Sequence, residues 1–118
     1  MKQLTKQTSI FWGEDLTVIY NLGYVSMQGA RHPYPLGKSA LTAWPDAKEE
    51  IQAALAIASS TGKPFVQEDT QFFLQRDGYL EEAYFTWSLV PLIGPTRGFY
   101  NPASETTKQI LSRRRFVS

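Results

Sequence analysis

FVQEDTQFFLQRDGYLEEAYFTWSLVPLIG, residues 65–94, decides the fold, because it reads as two strands folded back on each other. Over residues 65–75, Val66, Thr70, Phe72 and Leu74 recur with an uneven period of two. Asp77-Gly78 then marks a hairpin turn, since a tight loop needs positive φ and this pair supplies it at little steric cost. Over residues 79–92, Ala83, Phe85, Trp87 and Leu89 fall on one face and Glu82, Tyr84, Thr86 and Ser88 on the other, so one face is core and the other wetter. Ile93-Gly94-Pro95-Thr96 breaks the strand, and another begins over residues 97–101. It runs through Asn101-Pro102-Ala103-Ser104-Glu105-Thr106-Thr107 into a basic helix, and Thr106 with Gln109 fits a capping box at that helix's start.

Upstream, Ile10-Phe11-Trp12 and Thr17-Val18-Ile19-Tyr20 read as an antiparallel pair around a Gly13-Glu14-Asp15 turn. Asn21 is a good N-cap for a helix of two turns carrying Leu22, Tyr24, Val25 and Met27, which Gly29 ends. Residues 31–38 form a loop, Ser39 caps a short turn with Leu41 and Trp44, and a longer helix follows Pro45-Asp46. There Ile51, Ala54, Leu55 and Ala58 share a face, and Thr61-Gly62-Lys63-Pro64 stops the helix. Strands on both sides of a helical block predict an α+β domain with helices over one face of an antiparallel sheet.

At 118 residues the chain is expected to be one domain with a core of its own. It divides into a lead (residues 1–9), the folded domain (10–105) and a linker helix (106–118) toward an effector in a longer parent chain. With no cysteine, disulfides, thiolate metal sites and cysteine nucleophiles are excluded. Twelve basic against eleven acidic residues argue against a surface dedicated to nucleic acid or anionic membrane. Arg113-Arg114-Arg115 reads as a solvated helix face that complements the macrodipole. The apolar run 53–58 is too short to span a bilayer, and no signal peptide is evident.

Chemistry is sparse. His32 stands alone in a proline-rich loop, which fits a structural role and no multi-histidine metal site. Glu68 and Asp69, like Glu81 and Glu82, are strand neighbours that point to opposite faces, so neither pair converges on a substrate, and Glu81 alone shares the phase of Ala83 and Phe85. Without an evident base for a nucleophile, no enzyme is indicated. The apolar side chains Tyr24, Met27, Leu41, Trp44, Ile51, Leu55, Phe73, Phe85, Trp87, Leu89 and Phe99 are candidates to line a ligand pocket, or simply a packed core. Phe73 is out of phase with Val66, Phe72 and Leu74.

The order of elements resembles the PAS domain, a sensory and interaction module of histidine kinases and other signalling proteins. The residues that carry the likeness are Trp12-Gly13-Glu14-Asp15-Leu16, Tyr20-Asn21, Gly29-Ala30-Arg31-His32-Pro33 with Leu36-Gly37-Lys38, Trp44-Pro45, Asp77-Gly78-Tyr79, and Gly98-Phe99 before Glu105-Thr106-Thr107. The resemblance implies a five-stranded antiparallel sheet with short helices on one face, a pocket beneath it, and a C-terminal exit helix. It also implies that Glu105, Thr106 and Thr107 form the signal junction, with glutamate in place of the usual aspartate and a shortened loop before Gly98. The cofactor stays unknown: no cysteine-linked chromophore can form, and haem is not expected, because alanines and Ile57 stand where haem-binding relatives carry the ligand. The resemblance further implies a cytoplasmic domain of a two-component sensor whose parent is free to be membrane-anchored. Its partners would be a small molecule, a second copy of itself and the parent's effector, or, in the alternative, a homodimerising module with a filled core. Ala103, Ile110 and Val117, seven apart, permit a short helical seam.

Overall fold

The computed structural model describes residues 7–117. The strands β1 (Thr8–Trp12), β2 (Thr17–Tyr20), β3 (Phe65–Leu74), β4 (Glu81–Pro91) and β5 (Gly98–Glu105) form one sheet in the order β2-β1-β5-β4-β3, every pairing antiparallel. Between β2 and β3 lie the helices α1 (Leu22–Gln28), α2 (Ala40–Ala43) and α3 (Lys48–Thr61), with single 3-10 turns before α2 and α3. They cover one face of the sheet. A fourth helix, α4 (Thr107–Val117), leaves β5 and returns across the opposite face. Most of the lead expected over residues 1–9 lies outside the described residues; Thr8 and Ser9 already belong to β1.

The helices start and stop where local chemistry directs. Asn21 caps α1 by accepting from the Tyr24 amide at 3.0 Å, and Ser39 caps α2 by accepting from the Leu41 amide at 3.3 Å. Gly62 ends α3 in the left-handed conformation, its amide bonding the Ala58 carbonyl. Ile51, Ala54, Leu55 and Ala58 on α3 join Phe11, Val18, Leu89 and Phe99 of the sheet in one buried apolar cluster, which removes their surface from water.

Three expectations are corrected. A bulge between Gln67 and Thr70 places two residues of β3, Glu68 and Asp69, opposite one of β4, Thr86, so Phe65 faces inward before it and Phe72 after it. Val66 and Phe73 consequently face solvent, 60% and 54% exposed. Asp69 holds the bulge at φ 50°, its amide bonded to the Thr86 hydroxyl at 3.1 Å. Second, the hairpin has a six-residue loop, 75–80, instead of a two-residue turn. The loop leans onto the end of α1, where the Ala30 amide is held by the Arg76 carbonyl at 3.1 Å and Asp77 Oδ1 at 2.9 Å. Third, Tyr84 is buried although it points away from the helices, because α4 lies over it.

Candidate functional site

Between the sheet and α1–α3 lies a cavity of about 100 Å3. Its walls are mostly aromatic: Phe11, Tyr24, Trp44, Phe72, Phe85 and Trp87, with Met27, Ile51, Leu74, Ala47 and Ala103 completing the apolar part. Neighbouring rings meet at tilted or edge-on geometries, Phe11 to Trp44 at 5.9 Å and Phe72 to Phe85 at 5.8 Å between centroids. Of the residues singled out from the sequence, Tyr24, Met27, Trp44, Ile51, Phe85 and Trp87 are brought to this cavity. Leu55, Leu89 and Phe99 are buried in the core, and Leu41 packs against it, but none of the four lines the cavity. Phe73 is the clear displacement: the bulge turns it outward and puts Phe72 in its place.

Four polar residues also line the cavity. Asn101 is buried and bonded through both arms of its amide: its Oδ1 accepts from Ser9 Oγ at 2.9 Å and Tyr24 Oη at 3.0 Å, and its Nδ2 donates to the Ser88 carbonyl at 2.8 Å. Burial in this setting raises the Tyr24 pKa, so the phenol stays protonated. Gln28 is 5% exposed and accepts from the Trp44 indole Nε1 at 2.7 Å. Arg31 binds Asp46 and the Ala43 carbonyl, both at 3.2 Å.

Arg76 is the fourth, and it joins the cavity to the chain's exit. Its guanidinium donates to Glu81 Oε1 at 2.9 Å, to the Met27 carbonyl at 2.9 Å, and to Glu105 Oε1 and Oε2 at 2.9 and 2.7 Å. Hydrogen bonds to Glu105 and then Glu81 hold its pKa above the ordinary arginine value, against the opposing effect of burial. Burial would raise the Glu105 carboxyl, but hydrogen bonds from Arg76 and Thr107 outweigh it and leave the group below its usual range. Sequence reading passed over Arg76, Gln28 and Asn101 as site residues. The one signal for Arg76 was a cation beside the Asp77-Gly78 turn with Glu81 in the inward phase of the next strand.

Glu105, Thr106 and Thr107 span the end of β5 and the start of α4. The Thr107 hydroxyl donates to Glu105 Oε2 at 2.7 Å and accepts from the Tyr84 amide at 2.9 Å, while the Thr106 amide donates to the Tyr84 carbonyl at 2.7 Å. Thr106 is thus still paired to β4, and its own hydroxyl is buried with no partner among the described residues. The expected capping box is not made, because the strand ladder fixes Thr106 in an orientation from which its side chain caps nothing.

Beyond the junction, Arg114 fastens α4 to the outer face of the sheet. It donates to Glu82 Oε2 at 2.7 Å and to the Tyr84 hydroxyl at 2.6 Å, and its guanidinium lies 5.9 Å from the Tyr84 ring centre. Tyr84 and Gln71 also donate to Glu82. The Arg114 and Tyr84 hydrogen bonds hold the Glu82 carboxyl down to about 2. Arg114 therefore anchors α4 in this structure, whereas the basic run alone reads as a solvated face.

No family model and no curated protein matches this chain. Solved structures do. A sensory box sensor histidine kinase from Vibrio cholerae superposes with a TM-score of 0.61 at 14% identity, over 87% of this chain and 80% of that one. A PAS domain of a protein from Colwellia psychrerythraea does so with a TM-score of 0.63 at 18% identity, over 86% and 87%. An RNA-binding light-oxygen-voltage receptor gives 0.61 at 14% identity, over 95% of this chain and 33% of that one.

Proposed function

With the PAS fold as premise, we propose that this chain is a sensory domain in which a small molecule in the aromatic cavity changes how α4 rests on the sheet. One observation carries this reading: Arg76 lines the cavity and at the same time holds Glu105 of the junction with two hydrogen bonds. A ligand that displaces Arg76 frees Glu105, and Glu105 in turn orients the Thr107 hydroxyl that receives the Tyr84 amide. The arrangement described here has α4 docked through Arg114. The second arrangement is the undocked one, and a ligand favours it only by binding it more tightly.

The reading places the domain in the cytoplasm, ahead of an effector such as a histidine kinase in a longer chain, and gives it no catalysis of its own. Among the described residues no helix is long and apolar enough to cross a membrane, and no cluster of three metal-ligating side chains occurs. The test is native mass spectrometry of gently purified protein together with a thermal-shift screen of small metabolites. A bound species, or a saturable rise in melting temperature that Arg76→Met alters, is expected; a protein that binds nothing in either experiment overturns the sensory reading.

A second reading, the homodimerising module, has an observation of its own. On the outer face, the register aligns Ile19, Ile10, Tyr100 and Val90 across β2, β1, β5 and β4, with Trp12 beside them. Ile10, Trp12, Ile19 and Tyr100 are 36%, 46%, 51% and 38% exposed. This apolar row lies on the half of the sheet that α4 leaves uncovered, and it suits a second copy of the same face.

A further inference from the structure

We infer that the cavity selects a neutral, flat, single-ring molecule carrying one hydrogen-bond acceptor, which it recognises through the side-chain amide of Gln28. The inference rests on the ligand-binding reading above and specifies the chemistry of that ligand.

Gln28 is the last residue of α1 and lines the cavity. The orientation of its amide is fixed by its neighbour: the Trp44 indole can only donate, so the atom 2.7 Å from Nε1 is the carbonyl oxygen. The other arm is then the NH2 group, and among the described residues it has no hydrogen-bond partner. The only side-chain polar atom among the described residues that is both sealed from solvent and unpaired is the Thr106 hydroxyl, so the Gln28 NH2 group stays accessible and an acceptor can reach it. Among the other polar residues of the cavity, Asn101 and Arg76 have no wholly unpaired arm, and Arg31 is tied to Asp46 and the Ala43 carbonyl through Nη1 and Nη2. Asn101 uses both arms, and the Nε, Nη1 and Nη2 atoms of Arg76 all donate to carboxylates or to the Met27 carbonyl.

Charge decides between kinds of acceptor. Arg31 is paired with Asp46, and Arg76 is shared by Glu81 and Glu105, so two cations face three carboxylates and the surroundings are net negative by one. A carboxylate ligand would meet that negative excess with no spare cation to receive it. A cation would gain from the aromatic walls but would face the positive hydrogens of the Gln28 amide. A neutral ring nitrogen or carbonyl oxygen meets neither objection. Size limits the rest: an apolar cavity of about 150 Å3 accommodates benzene, so this one, at about 100 Å3 with flat aromatic walls, takes one ring at most and excludes a fused system.

Benzene, pyridine, N-methylpyridinium and benzoate, titrated separately into the whole chain at neutral pH, form a series of single rings that differ in charge and acceptor. The readout is NMR of the Gln28 side-chain amide and the Trp44 indole N–H. Pyridine is expected to shift the Gln28 NH2 signals saturably, benzene to bind without doing so, and the two ions to bind least. In Gln28→Glu, which keeps an acceptor for Trp44 and removes the NH2, the affinity ratio of pyridine to benzene is expected to fall about tenfold, as the loss of one hydrogen bond implies. Tightest binding by benzoate or N-methylpyridinium overturns the inference, as does an unchanged ratio in Gln28→Glu or a pyridine complex that leaves Gln28 undisturbed. Should Gln28→Glu not fold, the wild-type comparison of pyridine with benzene decides. If none of the four probes enters the cavity this inference fails, whereas the sensory reading fails only if the broader screen is empty too.

Discussion

At the scale of single residues, two side chains carry opposite kinds of energy. Arg76 neutralises two carboxylates in a half-buried setting, and replacing it with methionine leaves Glu81 and Glu105 to repel each other. Arg76→Met is expected to cost about 3 kcal/mol in denaturant unfolding. A cost under about 1 kcal/mol would mark the ion pairs as surface decoration. Thr106 is the converse case. Its hydroxyl is buried without a partner, so Thr106→Val, which keeps the shape and removes the unpaired group, is expected to stabilise the domain by about 1 kcal/mol. A destabilisation of similar size would show that the hydroxyl caps α4 after all. Neither residue's role was legible from the sequence. A threonine followed three residues later by glutamine satisfies the capping-box pattern locally, and only the pairing of the Thr106 amide with β4 removes that option. Arg76 acquires its role from partners at 81 and 105, which the fold alone brings together.

At the scale of elements, much was legible because the signals are local. Asn21, Ser39 and Gly62 stand where the helices begin or end, and each acts within four residues of itself. The caps were therefore readable without knowing the sheet order. Asn21 goes further than a cap, since its Oδ1 also accepts from the Thr8 amide of β1 at 3.2 Å. Asn21→Ala is expected to lower stability by about 1 kcal/mol or slightly more, measured by thermal unfolding. The inward phase of β3 was misread for a physical reason: the bulge at Glu68-Asp69 resets the alternation, and nothing in the local composition marks it. The helix α4 gives the prediction for pH. Because Glu82 has its pKa lowered from 4.5 to about 2, the docking energy it supplies is complete above pH 4.5 and disappears as the pH falls toward 2. Hydrogen exchange of the α4 amides should report this loss, and Arg114→Gln should remove the dependence, because the Tyr84 and Gln71 hydrogen bonds that still lower Glu82 do not involve α4. Docking that stays constant across that range would mean Arg114 and Glu82 do not hold the helix.

At the scale of the whole molecule, the sheet separates two surfaces with different uses. Its inner face encloses the aromatic cavity, and its outer face is divided between α4 over Glu82 and Tyr84 of β4 and the apolar row that runs through β2, β1 and β5 to Val90 of β4. The fold class was legible as soon as the hairpin was placed, because alternation in the last third and helical spacing in the middle admit few arrangements. The division of the outer face was not legible, since it depends on where α4 returns, and Tyr84 was read as exposed for the same reason. If the apolar row joins two copies, light scattering after size exclusion should show a dimer that Ile10→Lys converts to monomer. A wild-type monomer at high concentration contradicts that reading and leaves the sensory one intact.

The central claim is that the state of the cavity is communicated through Arg76 and Glu105 to α4. Ala47 lines the cavity from the helix side, so Ala47→Leu fills part of it without touching the junction or α4. Hydrogen-exchange mass spectrometry of this variant, alone and combined with Arg76→Met, measures the claim directly. The account predicts that Ala47→Leu lowers protection of residues 107–117 by about tenfold while α3 keeps its protection, and that in the Arg76→Met background Ala47→Leu produces no further change. Protection of α4 that is indifferent to Ala47→Leu, or that responds equally with and without Arg76, would contradict it.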